Sequence, residues 1–501
     1  MTAITRGSSR RPSPRESALQ LSDPTLITVA VLTVLTLALR FSQIHQGLYG
    51  DEGFTDGDIF GRSFGSVLSD VHSGGENSPP LFFLLAWATA KLGDPTVWIR
   101  LPSIILGSAT VPVVYLIGRE TVGPRAGLVA GAVIALSPFS FYYGVEARPY
   151  ASMAFFVAVS TWALLRAVAG SGARWWALYV VAAAAAAYCH YTCIFVLIVQ
   201  SLWSLWVCRH RIWPPLISAV VAVALYIPWL PKLRGKELGV IAALEPLTAH
   251  NVITDLLRPI AGYPYAPLGA IPTRLGLGLL IALTVIGFAA CAANAFGPTR
   301  VDRARGWPRR FWLLFALALA TPVGMLVYSE AATDLWLARG LYASVPAAAL
   351  LLGALLVAIP KPANIAAIVI VLGILAVGAF RAASPSWRRP PTRSLAAYVD
   401  RETAPSDPFA VISLFAGPGI DAQLRRSHRF ATLANVWRLT TAGGKAVVAL
   451  DELTAKALHI PIMPPPPAGF HLLAHRRFQS AVMPLDVGVY RRSRCGHSCA
   501  G

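Results

Sequence analysis

The chain has 501 residues, 55% of them hydrophobic and 13% charged, with a mean hydropathy of +0.57. Soluble domains carry about 25% charged residues, so composition excludes a soluble globular protein and leaves a polytopic membrane protein. The formal net charge of +19 does not call for nucleic acid, because the arginine clusters fall between apolar runs, where they set topology.

Residues 1–24 form a basic tail that lacks the small-residue cleavage site of a signal peptide. Apolar runs of spanning length follow near 25–44, 98–118, 125–143, 152–169, 174–189, 190–208, 212–230, 273–297, 311–329, 341–359 and 363–380. A span needs about 20 residues. The run 79–93 is shorter, opens on Pro79-Pro80 and ends at Lys91 and Gly93, which predicts an interfacial or re-entrant helix. With that run kept on one side, Arg6, Arg10, Arg11, Arg15, Arg119, Arg125, Arg166, Arg174, Arg209, Arg211, the stretch Arg300–Arg310 and Lys361 all face the same compartment. The positive-inside rule then predicts a cytoplasmic N-terminus and about eleven transmembrane helices. Residues 25–380 make the transmembrane domain. Residues 381–501, with short alternating runs such as FAVISLF and a helical pattern near Arg393–Thr403, predict a small extracytoplasmic C-terminal α/β domain. The expected fold class is thus mainly α and polytopic.

This topology leaves four outer segments with content: the acidic loop 45–97, the turn 142–151, the long loop 231–272 and the stretch 328–340. The polar loop after the first run holds Asp51, Glu52, Asp56, Asp58, Asp70, His72 and Glu76. Its plain reading is a solvated loop. Asp51-Glu52 stand apart because they lie at the bilayer surface between Gly50 and Gly53, where glycines permit close backbone approach. Two adjacent carboxylates repel and need a cation, a proton or a partner. One of them, placed so, can take a proton from an attacking hydroxyl. The turn YYGVEARPYA brings Glu146, Arg148 and Tyr150 to the same face, WIRLPS brings Arg100, WLARGLY brings Arg339 and Tyr342, and YCHYT brings His190 and Tyr191. A guanidinium at a span end is costly unless paired or hydrated. Snorkelling explains one such arginine, while three at one level can ring a phosphate. Cys189, Cys193, Cys208 and Cys291 lie in or beside apolar runs and read as packing residues. Cys495 and Cys499 flank His497, too few ligands on a terminus to assign a metal centre.

The order of these motifs resembles a known family. An acidic pair after the first span, Pro-Pro before a short outer helix, W-x-R-L-P-S, a small-residue span ending in Ser137-Pro138, and A-R-P-Y resemble the GT-C glycosyltransferases that use polyprenyl-phosphate sugars. The nearest groups are the protein O-mannosyltransferases, the lipid A aminoarabinose transferases and the rhizobial lipopolysaccharide glycosyltransferases. The likeness covers residues 25–200 well and 310–400 loosely, with Trp387-Arg388 matching the entry to the outer domain. It implies a transferase of the bacterial inner membrane that moves a hexosyl or pentosyl group to a cell-envelope glycan, lipid or protein. It implies Asp51 as base, supported by Glu52, and Arg148 and Arg339, then Arg100, at the carrier phosphate. Substrate-binding candidates are His72, Glu76, Glu146, Tyr150, His190, Tyr191 and Tyr342. No cofactor is expected, although the acidic pair could hold a divalent cation, and no nucleic acid is expected among the partners. The chain departs from many relatives in having Asn77-Ser78 where His or Lys precedes Pro-Pro. A polytopic transporter or a non-catalytic scaffold is the alternative reading. The transporter predicts charges within the spans and a repeat in the two halves, whereas here the charges gather at one face.

Overall fold

The computed structural model describes residues 24–73, 78–233, 246–296, 309–413 and 415–493. Glu76, Asn77, Cys495, His497 and Cys499 lie outside the described residues.

The apolar runs are helices, and many begin at proline, whose fixed φ suits the first helical turn. They are α1 (Pro24–Phe41), α6 (Leu101–Thr121), α7 (Pro124–Leu136) continued by α8 (Pro138–Tyr143), α9 (Tyr150–Val168), α10 (Ala173–Cys189), α11 (Cys193–Val207), α12 (Trp213–Tyr226), α14 (Arg274–Phe296), α15 (Arg309–Ala331), α16 (Val345–Ala358) and α17 (Ala363–Ala383). Among the described residues, eight helical stretches are long and apolar enough to cross a bilayer. Their outward faces carry exposed Leu35, Val285, Val369 and Phe380. Such faces suit lipid contact, since every backbone group inside a helix is already paired. Inside, glycines let helices meet closely: Gly118 on α6 stands against the backbone of Gly127 on α7, and Gly353 on α16 against Ala126.

The acidic segment is not a plain loop. It folds into α2 (Asp51–Ile59) and α3 (Phe64–Ser73), followed by α4 (Leu81–Ala90) and the short α5 (Pro95–Trp98). Gly50, at φ 57°, turns the chain into α2 in a conformation that L side chains rarely adopt. Asp51 and Glu52 then occupy the first turn of α2, where the helix dipole favours negative charge. Helix α4, at ten residues, spans roughly 15 Å, half of a hydrocarbon core.

After α17, residues 384–493 hold α18 (Thr392–Glu402) and a five-stranded mixed sheet. Its strands are β1 (Pro408–Ile412), β2 (Arg429–Phe430), β3 (Lys445–Asp451), β4 (Phe470–Phe478) and β5 (Leu485–Arg492), in the order β2-β1-β3-β5-β4. β1 runs parallel to β2 and β3, and β5 antiparallel to β3 and β4. Helices α19 (Gly417–Asp421), α20 (Leu433–Leu439) and α21 (Glu452–Leu458) join the strands. The sheet side meets the acidic segment through α19. Gly50 N–H donates to Phe415 O at 2.8 Å, a Cβ on Gly53 would stand 2.6 Å from Gly419 N, and one on Gly419 would strike Leu48 O.

Candidate active site

The two acids of the pair have separate environments. Glu52 is fully buried and has cations or N–H donors on both oxygens. Arg100 grips it with two bonds, Nε to Oε1 at 3.0 Å and Nη2 to Oε2 at 2.8 Å. Ala147 N–H donates to Oε1 at 2.8 Å, Tyr49 N–H to Oε2 at 3.4 Å, and Arg389 Nε lies 3.2 Å from Oε2. Burial raises this carboxyl, but Arg100 and Arg389 outweigh it and hold it below its ordinary range.

Arg100, expected at the carrier phosphate, is fully committed elsewhere. Its remaining donors go to the carbonyls of Ile44, Gln46 and Gly47 at 2.9, 2.6 and 2.9 Å, so all five N–H groups are used. Its side chain is 0% exposed. A guanidinium so enclosed fixes the bend before α2 and has no donor left for a ligand. Spacing alone placed it at the right level but could not reveal that the bend before α2 folds over it.

Asp51 faces outward. Its side chain is 31% exposed, and Oδ2 accepts from Arg339 Nη1 at 2.6 Å with Arg148 Nε at 3.9 Å. Burial raises this carboxyl, yet Arg339 and Arg148 together hold it below its ordinary value, so it is ionised at neutral pH. Arg148 reaches it from the turn between α8 and α9, with Nη1 donating to Thr55 Oγ1 at 3.1 Å and the guanidinium over Phe83. Ser103 Oγ donates to Arg148 O and pins that turn. Arg339 reaches it from the 3-10 turn Ala338–Ser344, over the ring of Tyr150. The approach to that turn is anchored by Trp336, fully buried, whose Nε1–H donates to Asp255 Oδ2 at 3.0 Å from α13 (Ala249–Ala261). Asp334 accepts from the N–H groups of Leu247 and Trp336.

Several expected residues gather round this group. Tyr150 packs against Tyr143 and against His190, whose Nδ1 joins Thr192 Oγ1 at 3.0 Å. Tyr342 packs against Tyr143 and Phe139. Glu146 is 3% exposed, and its Oε2 has no hydrogen-bond partner among the described residues. Burial pushes it up to about 7, the Glu52 and Asp51 charges add to this, and Arg389 and Arg339 oppose it. His72 and Tyr191 form a separate group: His72 is exposed and lies edge-on to Trp229, whose Nε1–H donates to Tyr191 Oη.

Three contributors escaped the sequence reading, and a fourth, Asp56, was named only as one acid of the polar loop. Arg389 comes from beyond the last span, with its guanidinium over the Tyr142 ring. Tyr263 and Tyr265 come from the segment after α13 and pack on Tyr142. Asp56, one turn along α2 from the pair, is 4% exposed, and burial raises it to about 7. Trp387-Arg388 marked the right stretch for Arg389, one residue short. Nothing marked the tyrosines.

No group of three or more metal-ligating side chains occurs among the described residues. A divalent cation at Asp51/Glu52 does not fit these partners, because Arg100 and Arg389 fill the Glu52 side and Arg339 holds Asp51.

Residues 77–231 match the family model described as dolichyl-phosphate-mannose-protein mannosyltransferase. No curated protein matches the chain. Among solved structures, ArnT from Cupriavidus metallidurans bound to undecaprenyl phosphate aligns with TM-score 0.50 and 14% identity over 93% of this chain and 97% of that one. The Archaeoglobus fulgidus oligosaccharyltransferase in its apo form aligns with TM-score 0.49 and 14% identity over 83% and 65%. The mycobacterial arabinofuranosyltransferase AftD (mutant R1389S) aligns with TM-score 0.46 and 15% identity over 94% and 42%. The chain has the GT-C type of fold, a multi-pass helical bundle bearing a small C-terminal sheet, and over residues 77–231 it is similar in sequence to the mannosyltransferase family.

Proposed function

We propose that this protein transfers a sugar, hexosyl or pentosyl, from a polyprenyl monophosphate to an acceptor hydroxyl of the cell envelope, on the extracytoplasmic face and with inversion. The observation that carries the reading is the sharing of one half-exposed carboxylate, Asp51, between Arg339 and Arg148. Arginine forks match phosphate as well as carboxylate. Asp51 therefore holds the two cations where a phosphate would take them over.

The exchange also tunes the base. While Arg339 and Arg148 face Asp51, it is a poor proton acceptor. A donor phosphate entering the site shares those cations and restores basicity to Asp51. The acceptor oxygen attacks the anomeric carbon, its proton goes to Asp51, and the bond from that carbon to the phosphate oxygen breaks, with the electron pair leaving on the phosphate. Negative charge grows on the leaving group, where Arg339 and Arg148 stabilise it. Glu52 keeps α2 in place by holding Arg100, Arg389 and the 144–149 turn. ArnT from Cupriavidus metallidurans, which aligns with this fold, is bound to undecaprenyl phosphate, which supports a lipid carrier here.

The test is turnover by purified protein with a synthetic polyprenyl-phosphate sugar beside a nucleotide sugar. Turnover with the lipid alone is expected. Use of the nucleotide sugar and none of the lipid overturns the reading.

A further inference from the structure

We infer that the acceptor is an acidic glycan, docked on exposed arginines beside the acidic pair; this rests on the transferase reading above. Over residues 381–501, sixteen Arg and Lys stand against seven Asp and Glu. The positive-inside rule explains basic loops on the cytoplasmic side and gives no reason for such an excess in a domain on the other side. Several of these cations are engaged: Arg389 on Glu52, Arg393 on Asp94, Arg401 on Glu402, Arg477 on Glu452, and Arg476 over Tyr398.

Arg388, Arg438 and Arg491 are exposed on separate elements, whereas Arg425, Arg426 and Arg429 share one loop. All three are exposed, and no ion pair engages them among the described residues. Their loop is nonetheless held in shape. Asp400, 8% exposed, accepts from Arg425 N–H at 2.8 Å and Arg426 N–H at 3.3 Å, and its Oδ1 lies 3.0 Å from His428 Nε2. A carboxylate buried on α18 thus fixes a loop that aims three guanidiniums at solvent. Fixed charges of one sign raise the local concentration of an oppositely charged ligand.

The loop also lies near the acidic pair. It follows α19, which rests on α2, and Ala422 packs into the cluster of Leu48, Ile59, Val67 and Phe82. Arg425 is three residues further on, at most about 11 Å of chain. A carboxylate- or phosphate-bearing polymer on the arginines can therefore extend to Asp51. A bilayer surface is the lesser candidate. Surface-seeking segments present an apolar face, whereas the large apolar side chain exposed here, Phe430, is stacked on Phe409.

The experiment uses the detergent-purified full chain and fluorescent polygalacturonate, with dextran as the neutral control. The variant is R425A/R426A/R429A, which leaves the backbone bonds to Asp400 intact. Polygalacturonate binding, and none of dextran, is expected, weakening as salt is raised. The triple variant should bind polygalacturonate roughly tenfold more weakly, since three modest exposed ion pairs are lost together. Equal binding by wild type and variant, or equal binding of dextran, overturns the inference. So does a loop protected from trypsin by phosphatidylglycerol vesicles and unprotected by the polymer. Lipid-donor binding is measured on the same samples. Its absence in the wild type defeats the transferase reading, while its retention alongside unchanged polymer binding in the variant defeats only the docking surface.

Discussion

Replacing Glu52 by Gln should unfold this protein more than it alters any chemical step. The side chain is fully buried and neutralises Arg100 and Arg389, themselves 0% and 3% exposed. Glutamine keeps the volume but removes the charge, and it sets an NH2 group against donors from Arg100, Ala147, Tyr49 or Arg389. Breaking one partner of a buried ion pair costs about 3–5 kcal/mol, a large share of the roughly 5–15 kcal/mol that holds a typical protein folded. Asp51→Asn is the comparison. Its pair with Arg339 is 31% and 25% exposed, so solvent screens it and the loss should stay near 1 kcal/mol or below. Thermal unfolding and trypsin resistance of the two purified variants give the contrast, with Glu52→Gln melting well below Asp51→Asn. If Glu52→Gln keeps the wild-type unfolding profile and loses turnover, Glu52 acts in the chemistry and the positioning role is refuted.

Asp51→Asn should cut transfer by roughly 10²-fold or more while the protein stays folded; full activity in a steady-state assay would falsify the role of Asp51 as base. Arg339→Ala should weaken donor use by about ten- to a hundredfold, since charged hydrogen bonds contribute about 1.5–3 kcal/mol each, and lysine should restore only part because it lacks the fork; donor titration with equal loss for acceptor would contradict this. For Glu146, burial lifts the folded value from 4.5 to about 7, so the folded state holds the proton more tightly and the contribution of Glu146 to stability falls as pH rises from about 4.5 to about 7. Glu146→Gln, which mimics the neutral form, should flatten that slope and exceed wild type above pH 7, each whole unit between the two values being worth about 1.4 kcal/mol; an unchanged slope in melts across pH 5–8 counts against it. Cysteine at Gly65 or Ser406 should react with an impermeant maleimide in intact cells and cysteine at Arg119 should not; labelling at Arg119 would mean that α4 crosses.

The helices were legible because 20-residue apolar runs leave a buried or lipid-facing helix as the only economical solution. Asp51, Arg148 and Arg339 could be listed because each sits at a span end with no local partner in sequence. What could not be read was which cation meets which acid. Arg100 and Arg148 look alike as letters, yet three carbonyls of the bend at 44–47 consume one and leave the other at Asp51. Helix α2 was hidden for a related reason: glycines and acids suggest a loop until Gly50 supplies the turn and α19 supplies the packing. Arg389 and the tyrosines at 263 and 265 depend on contacts across more than a hundred residues, which no local pattern records.

The ion pairs of Asp51 and Glu52 also set an order of events during synthesis. Glu52 meets Arg100 early, but Asp51 waits for Arg339 and Glu52 for Arg389, the last of them 337 residues further along the chain. A nascent chain that has inserted its first spans therefore carries an unfinished set of pairs, with Asp51 facing Arg148 alone and Glu52 held by Arg100 alone. The pairs of Asp51 are complete only when residue 339 has been laid down, and those of Glu52 only when residue 389 has folded back. A chain ending with α17 would keep Arg100, Arg148 and Arg339 against the two acids and lack only Arg389, so the last support of Glu52 arrives with the linker to the sheet.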